Sequence, residues 1–312
     1  MADATLTRFG ADNGGATKDA LFLKLFSGEV LASFNLANVF KDKHRIKSIS
    51  KGKSYQFPAL GTATAGYYTP GTEIVGRNSI LSSERVITID NVLLANEYIT
   101  EFDELQSHFD VRGEYAKQMG EALADQFDRN VARNIVLASR ASATITGGNG
   151  GANITNASIG TDAAVLAASV YTMAQTFDQK GLPENDRYVA VLPAQYYLMV
   201  QKTDLINKDW EGSGSYSAGK MGTVAGVTIV KTNKVPTAND SANSNIPTAY
   251  RANYSTTVAV GWNPGAVGTV SLMDIQSENF WDVRRQSTLL LAKYACGHGI
   301  LRPECAIEFK SA

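Results

Sequence analysis

Apolar residues recur at helical spacing near the start of the chain. Phe22, Phe26, Val30 and Phe34 fall every four residues between 18 and 38, and Leu21 and Leu25 widen the stripe. This predicts an amphipathic helix whose aromatic face is covered by its own domain or by another subunit. Residues 1–16 are polar and Gly-containing, and read as an arm. From 41 to 58 the period changes. Tyr55 and Phe57 alternate with polar residues before Pro58, as in a strand, and RVITID at 85–90 puts Ile87 and Ile89 on one face. Between them, 59–83 is Gly-rich and carries the pair Tyr67 and Tyr68 with little periodicity. The span 44–92 therefore predicts two strands joined by a long excursion, a flap too poor in contacts to stand without docking on something.

A proline-free run from Asp103 to about Arg140 follows, with Leu105, Phe109, Ala116, Met119, Leu123, Phe127, Val131 and Ile135 on one helical face. At 1.5 Å per residue this helix would run about 50 Å. Gly113 and Gly120 inside it each cost roughly 1 kcal/mol against Ala, so tertiary packing must hold it. Arg112 lies on the apolar stripe and needs acceptors. Glu101, Asp103, Glu104, Asp110 and Glu304 are candidates, as is a neighbouring subunit; otherwise the guanidinium snorkels to solvent. Glu101, Asp103 and Glu104 also suit a helix N-terminus.

The uncharged, Gly- and Asn-rich stretch 141–161 reads as a loop, and 162–265 as a second domain. There Asp162 can cap a helix with the face Leu166, Val170, Met173 and Phe177, ended by Gly181 and Pro183. Strands are expected at 188–192 and 224–230, and Pro193 opens a short helix between them. The loop 235–249 holds Pro236 and Pro247. Alternation returns over 268–310 and ends in a turn-rich KYACGHGILRPE, with His298 read as a turn residue. The class is α+β.

Composition narrows the function. The chain has 312 residues, a soft prior of about two domains, and at 44% hydrophobic and 19% charged it can fill a core. A net charge of -1 is a poor match to binding nucleic acid by neutralising phosphate. The N-terminus lacks the apolar region of a secretory signal, and Lys24 and Glu29 interrupt the best apolar window. One charge pattern stands out. Lys41, Lys43, Arg45, Lys47, Lys51 and Lys53 all occupy odd positions, so an extended chain would display them on one face. That face is either solvated or pairs with an acidic neighbour or phosphate.

Candidate chemistry is sparse. Gly214 to Lys220 has phosphate-loop spacing, but Met221 stands where a magnesium-ligating hydroxyl is required, and no buried strand precedes it. No nucleophile elbow or zinc-type His/Cys spacing occurs in the sequence. Cys296, His298 and Cys305 are close in sequence but sit in no metal-binding context. No cofactor is expected.

Several blocks carry a resemblance. ALFLKLFSGEVLASF at 20–34, RIKSISKGKSYQFPALG at 45–61, ERVITID at 84–90, HFDVRGEYAKQMGEALA at 108–124 and LAKYACGHGILRPE at 291–304 are similar, in order and spacing, to major capsid proteins of short-tailed, podovirus-type phages of the T-seven group. The resemblance implies the Hong Kong 97 type phage capsid fold. Its parts would be an N-terminal arm and helix at 1–43, an extended loop at 44–92, a peripheral domain with a spine helix at 93–140 and 266–312, and an axial domain at 141–265. It also implies a non-enzymatic subunit that forms hexamers and pentamers of an icosahedral head enclosing double-stranded DNA without sequence-specific contact. A scaffolding protein during assembly and a portal protein at one vertex would be partners, and no membrane is involved. The head would be assembled in the host bacterial cytoplasm. On that reading the candidate contacts between subunits are Phe22, Phe26, Lys41, Lys43, Arg45, Lys47, Lys51, Lys53, Tyr67, Tyr68 and Arg112. An encapsulin, the same fold around a cargo enzyme, is the alternative.

Overall fold

The computed structural model describes residues 29–35, 37–61, 63, 65–74, 80–100, 102, 111–202, 214–215 and 220–311. In chain order these form β1 (Arg45–Ser48), β2 (Ser54–Leu60), β3 (Ser82–Thr88), β4 (Leu93–Thr100), α1 (Val111–Arg140), β5 (Ala152–Thr155), α2 (Ala163–Gln179), β6 (Tyr188–Val191) and α3 (Pro193–Val200). The short strands β7 (Gly214–Ser215), β8 (Lys220–Met221) and β9 (Thr223–Val224) precede β10 (Val227–Lys231), β11 (Thr257–Trp262), β12 (Val267–Asp282), β13 (Ser287–Ile300) and β14 (Ala306–Lys310). The chain divides into two compact units. One holds residues up to Asn38, Asp90–Phe127 and Leu272–Cys296; the other holds Val39–Ile89, Asp128–Ser271 and the chain from Gly297 onward.

In the first unit, the helical segment 29–35 buries Val30 and Phe34, the two positions of the predicted stripe that lie among the described residues. Phe34 meets Phe127 of α1 and Tyr294 of β13, each at 5.9 Å between ring centroids. The cost of Gly120 in mid-helix now has its reason. A Cβ there would stand 2.7 Å from the Val30 carbonyl oxygen, so only glycine lets the two backbones approach. β13 pairs antiparallel with β4, from Ser287 opposite Thr100 to Tyr294 opposite Leu93. Period two sends Ile99, Leu290, Ala292 and Tyr294 inward and leaves Leu94 and Tyr98 exposed.

The second unit is built on a six-stranded sheet in the order β5-β14-β11-β6-β10-β9. α2 lays its predicted face, Leu166, Val170, Met173 and Phe177, into the core. It fits closely because β11 has Gly261 beneath it, where a Cβ would strike the Met173 sulfur. Asp162 caps the helix by accepting from the Ala164 amide at 2.8 Å. Asp162→Ala should cost about 1 kcal/mol, read as a lower urea midpoint with an unchanged slope.

Four expectations are corrected. The strand expected at 224–230 is a hairpin, because Ala225 and Gly226 both adopt positive φ and reverse the chain between β9 and β10. The loop expected at 141–161 contains β5, which adds to β14 in parallel. The turn-rich ending at 293–304 is mostly strand. Gly297 and Gly299 serve close packing there, since a Cβ would collide with the Thr88 carbonyl at one and with Ile87 at the other. Finally, the later part of α1 is covered all round, with Val131, Ala132, Ile135, Val136 and Ala138 buried, while its expected start at Asp103 lies outside the described residues. The one-face pattern understated how much surrounds it.

Candidate assembly surface

The flap is a two-stranded ribbon. β2 and β3 pair antiparallel from Ser54 opposite Thr88 to Leu60 opposite Ser82. An isolated hairpin is marginal in water, and this one is anchored at its root. Ile87 packs on Val270 and Leu301, flanked by Ile49, Tyr55, Phe57 and Ile89. Beyond the root the cover ends. Tyr67 is 100% and Ile74 82% exposed, and Tyr68, Ile80 and Leu81 are exposed too. An apolar tip standing in solvent is a candidate contact surface.

The cations entering the flap do not share one period-two face. Lys41 and Lys43 lie in a 3-10 turn, only Arg45 and Lys47 are on β1, and Lys51 and Lys53 sit in the bend before β2. The turn forms because its backbone is captured. Both oxygens of buried Asp128 accept amides, from Val39 at 2.7 Å and Phe40 at 3.2 Å, while burial raises its carboxyl to about 6. Lys43 donates to the Val39 carbonyl at 2.7 Å, and its own carbonyl accepts from the Trp262 indole at 2.8 Å. Lys47 lies over the Tyr55 ring at 5.9 Å.

Beneath this turn two buried histidines share one hydroxyl. His44 Nδ1 is 2.7 Å from the Phe40 carbonyl, which can only accept, so Nδ1 carries the proton and Nε2 is bare. Thr269 then donates to His44 Nε2 at 2.8 Å and accepts from His298 Nδ1 at 2.8 Å. His298 is thus a buried strand residue and not a local turn residue. Burial lowers His44 to about 4 and His298 to about 3, the second helped by its neighbour His44.

Beside the flap root is a cleft of about 990 Å³. Arg45, Arg85, Lys180 and Arg302 line it with Glu304 and the Gly-rich stretch 144–149. Sequence reasoning left Arg85, Lys180 and Arg302 unremarked, since they are far apart in the chain and only the fold collects them. Arg85 donates to the Thr144 hydroxyl at 3.2 Å, Lys180 to the Gly150 carbonyl at 2.9 Å, and Arg302 to Glu304 at 2.7 Å.

Of the remaining candidates, Phe22 and Phe26 lie outside the described residues, as do Glu101, Asp103, Glu104 and Asp110. Arg112 is half-buried in the first turn of α1. In the phosphate-loop-like segment, Gly214 pairs with Met221 and Ser215 with Lys220 in a small ladder, and the Met221 amide donates to the Tyr196 hydroxyl at 2.9 Å. Burial raises both the Cys296 and Cys305 thiols, Cys305 to about 11. Among the described residues no three His, Cys, Asp or Glu side chains converge as metal ligands, and no helix is long and apolar enough to cross a membrane.

A family model described as "Gp10A-like: Major capsid protein" matches residues 56–310. The chain is 32% identical to the major capsid protein of Escherichia phage T7, covering 93% of this chain and 91% of that one. It is 31% identical to the major capsid protein of Enterobacteria phage T3, covering 96% and 94%. A chain in the capsid structure of the cyanophage P-SCSP1u is 40% identical, covers 100% of this chain and 99% of its own, and superposes with a TM-score of 0.81.

Proposed function

The chain belongs to the Gp10A-like major capsid protein family, a structural protein of the phage head with the Hong Kong 97 type fold that assembles from copies of itself, and from that premise we propose how its parts are used. Residues 44–92 are the extended loop and lie over an adjacent subunit. The observation that carries this is the tip, where Tyr67, Tyr68 and Ile74 are all exposed to solvent. Residues 1–43 form the arm and its helix, 93–140 with 266–312 the peripheral domain, and 141–265 the axial domain that meets its copies around hexamer and pentamer centres. Arg112 serves as a charged pin on the spine helix toward a carboxylate of its own or a neighbouring chain. The exposed cations Arg45, Lys47, Lys51 and Lys53 act between subunits, where each pair contributes only about 0–1 kcal/mol but repeats at every interface. A scaffolding protein directs assembly in the host cytoplasm, a portal occupies one vertex, and the head encloses double-stranded DNA.

Electron microscopy of purified particles tests this. Icosahedral heads with hexamers, pentamers, a portal vertex and DNA inside are expected. Portal-free shells around a cargo enzyme would instead make the chain an encapsulin. Replacing 63–80 by a short Gly-Ser linker should leave the subunit folded, because the anchored root is untouched, and abolish shells. Shells of normal yield from that variant would remove the loop from the interface.

A further inference from the structure

The cleft beside the flap root concentrates positive charge in a chain whose net charge is -1. Four cationic side chains line it against one carboxylate, and that carboxylate is already bound to Arg302. Its walls are also apolar, with Phe57, Leu60, Leu81, Ile145 and Leu301 between the cations. Leu60 and Leu81 are exposed. An occupant must therefore bring carboxylates and apolar side chains together. A phosphate backbone brings charge without apolar groups and would leave those walls wet.

One stretch of the sequence has that composition. From Glu97 to Glu114 there are six carboxylates, with Arg112 the sole Lys or Arg, and Tyr98, Phe102, Leu105 and Phe109 are interleaved among them. Glu97 and Glu114 are exposed, and Phe102 is 68% exposed. The cleft and this stretch belong to different compact units of the chain. We infer that the cleft receives the acidic, aromatic segment 97–114 of a second copy of the chain. The volume, about 990 Å³, accommodates an aromatic ring and its flanking carboxylates. Because the two surfaces differ, the contact is head-to-tail, and such contacts repeat from copy to copy and close into rings. This rests on the capsid reading and supplies the electrostatic register of its rings.

The test is a disulfide between copies in shells made from the full-length chain. Cys296 and Cys305 are both buried, so background pairing is low. With Arg85→Cys and Phe102→Cys in one chain, shells should give a ladder of covalent multimers on a non-reducing gel, collapsed by reductant. Either substitution alone should give monomer. Shells without a ladder, or a disulfide closed within one chain, overturn the inference and leave the capsid reading standing. Failure of the unmodified chain to form shells when co-expressed with its scaffolding protein sinks that reading itself. Should the cysteine pair block assembly, charge exchange decides. Arg85→Glu alone and Glu97→Arg alone should each cut shell yield about tenfold, and together should restore it. If both single variants assemble normally, or if Arg85→Glu shells form and only lose DNA, the cleft does not hold a neighbouring copy.

Discussion

Arg140→Ala is expected to cost the unassembled subunit about 3 kcal/mol. Arg140 ends α1 and grips Glu308 of β14 with two nitrogens, Nε at 2.8 Å and Nη2 at 2.6 Å. Its third donor reaches the Asn253 carbonyl at 2.7 Å, and the guanidinium lies over the Tyr254 ring at 5.5 Å. Glu308 is fully buried and also accepts from the Thr257 hydroxyl at 2.6 Å. Removing Arg140 leaves that carboxylate in the core beside Thr257 and Lys310, the latter at 3.4 Å. The damage comes from the stranded charge more than from the lost attraction. Glu308→Gln added to Arg140→Ala should therefore be less harmful than the two changes summed, by 1 kcal/mol or more on the order of a buried ion-pair coupling. Urea unfolding of the four proteins measures this. A loss under about 1 kcal/mol for Arg140→Ala would show that water reaches Glu308 and replaces the arginine.

Acid should unfold the subunit through His44 and His298. Well above pH 6.5 both rings are neutral whether the chain is folded or not, and their contribution is intact. Below it the unfolded chain takes up protons that the folded chain refuses, since His44 is held to about 4 and His298 to about 3. Stability therefore falls with pH until the folded rings protonate themselves. Asp128 opposes this. Its carboxyl is raised from 3.8 to about 6, so between those values the folded chain binds the proton first and gains. With each step in pKa worth about 1.4 kcal/mol, the histidine loss exceeds the Asp128 gain by roughly 4 kcal/mol at pH 4. The urea midpoint at pH 4.5 should lie well below that at pH 7. His298→Asn keeps a donor near Nδ1 but cannot titrate, and should remove about half of the histidine part. An unchanged pH dependence in that variant would place the acid sensitivity elsewhere.

The flap, the spine helix and α2 were legible in the sequence because each is a local pattern. Tyr55, Phe57 and Ile87 alternate; Met119, Leu123, Phe127 and Val131 recur at helical spacing; Asp162 and Gly181 bracket α2 as cap and stop. The resemblance added the family. What misled was glycine. Gly297 and Gly299 have the composition of a turn, yet they lie in β13 because another strand presses on them. A glycine that frees the backbone and one that admits a neighbour look alike in sequence. Arg45 could be marked as part of a cationic run, but its placement beside Arg85, Lys180 and Arg302 could not be read, nor the hydroxyl shared by His44 and His298. The sequence by itself determined where helices and strands form and which face of each is apolar, since those depend on spacings of two to four residues. Only the tertiary structure decided which distant charges meet, which are buried and what each costs. Those energies depend on separation and dielectric through space, and residues such as Arg140 and Glu308 stand 168 positions apart in the chain.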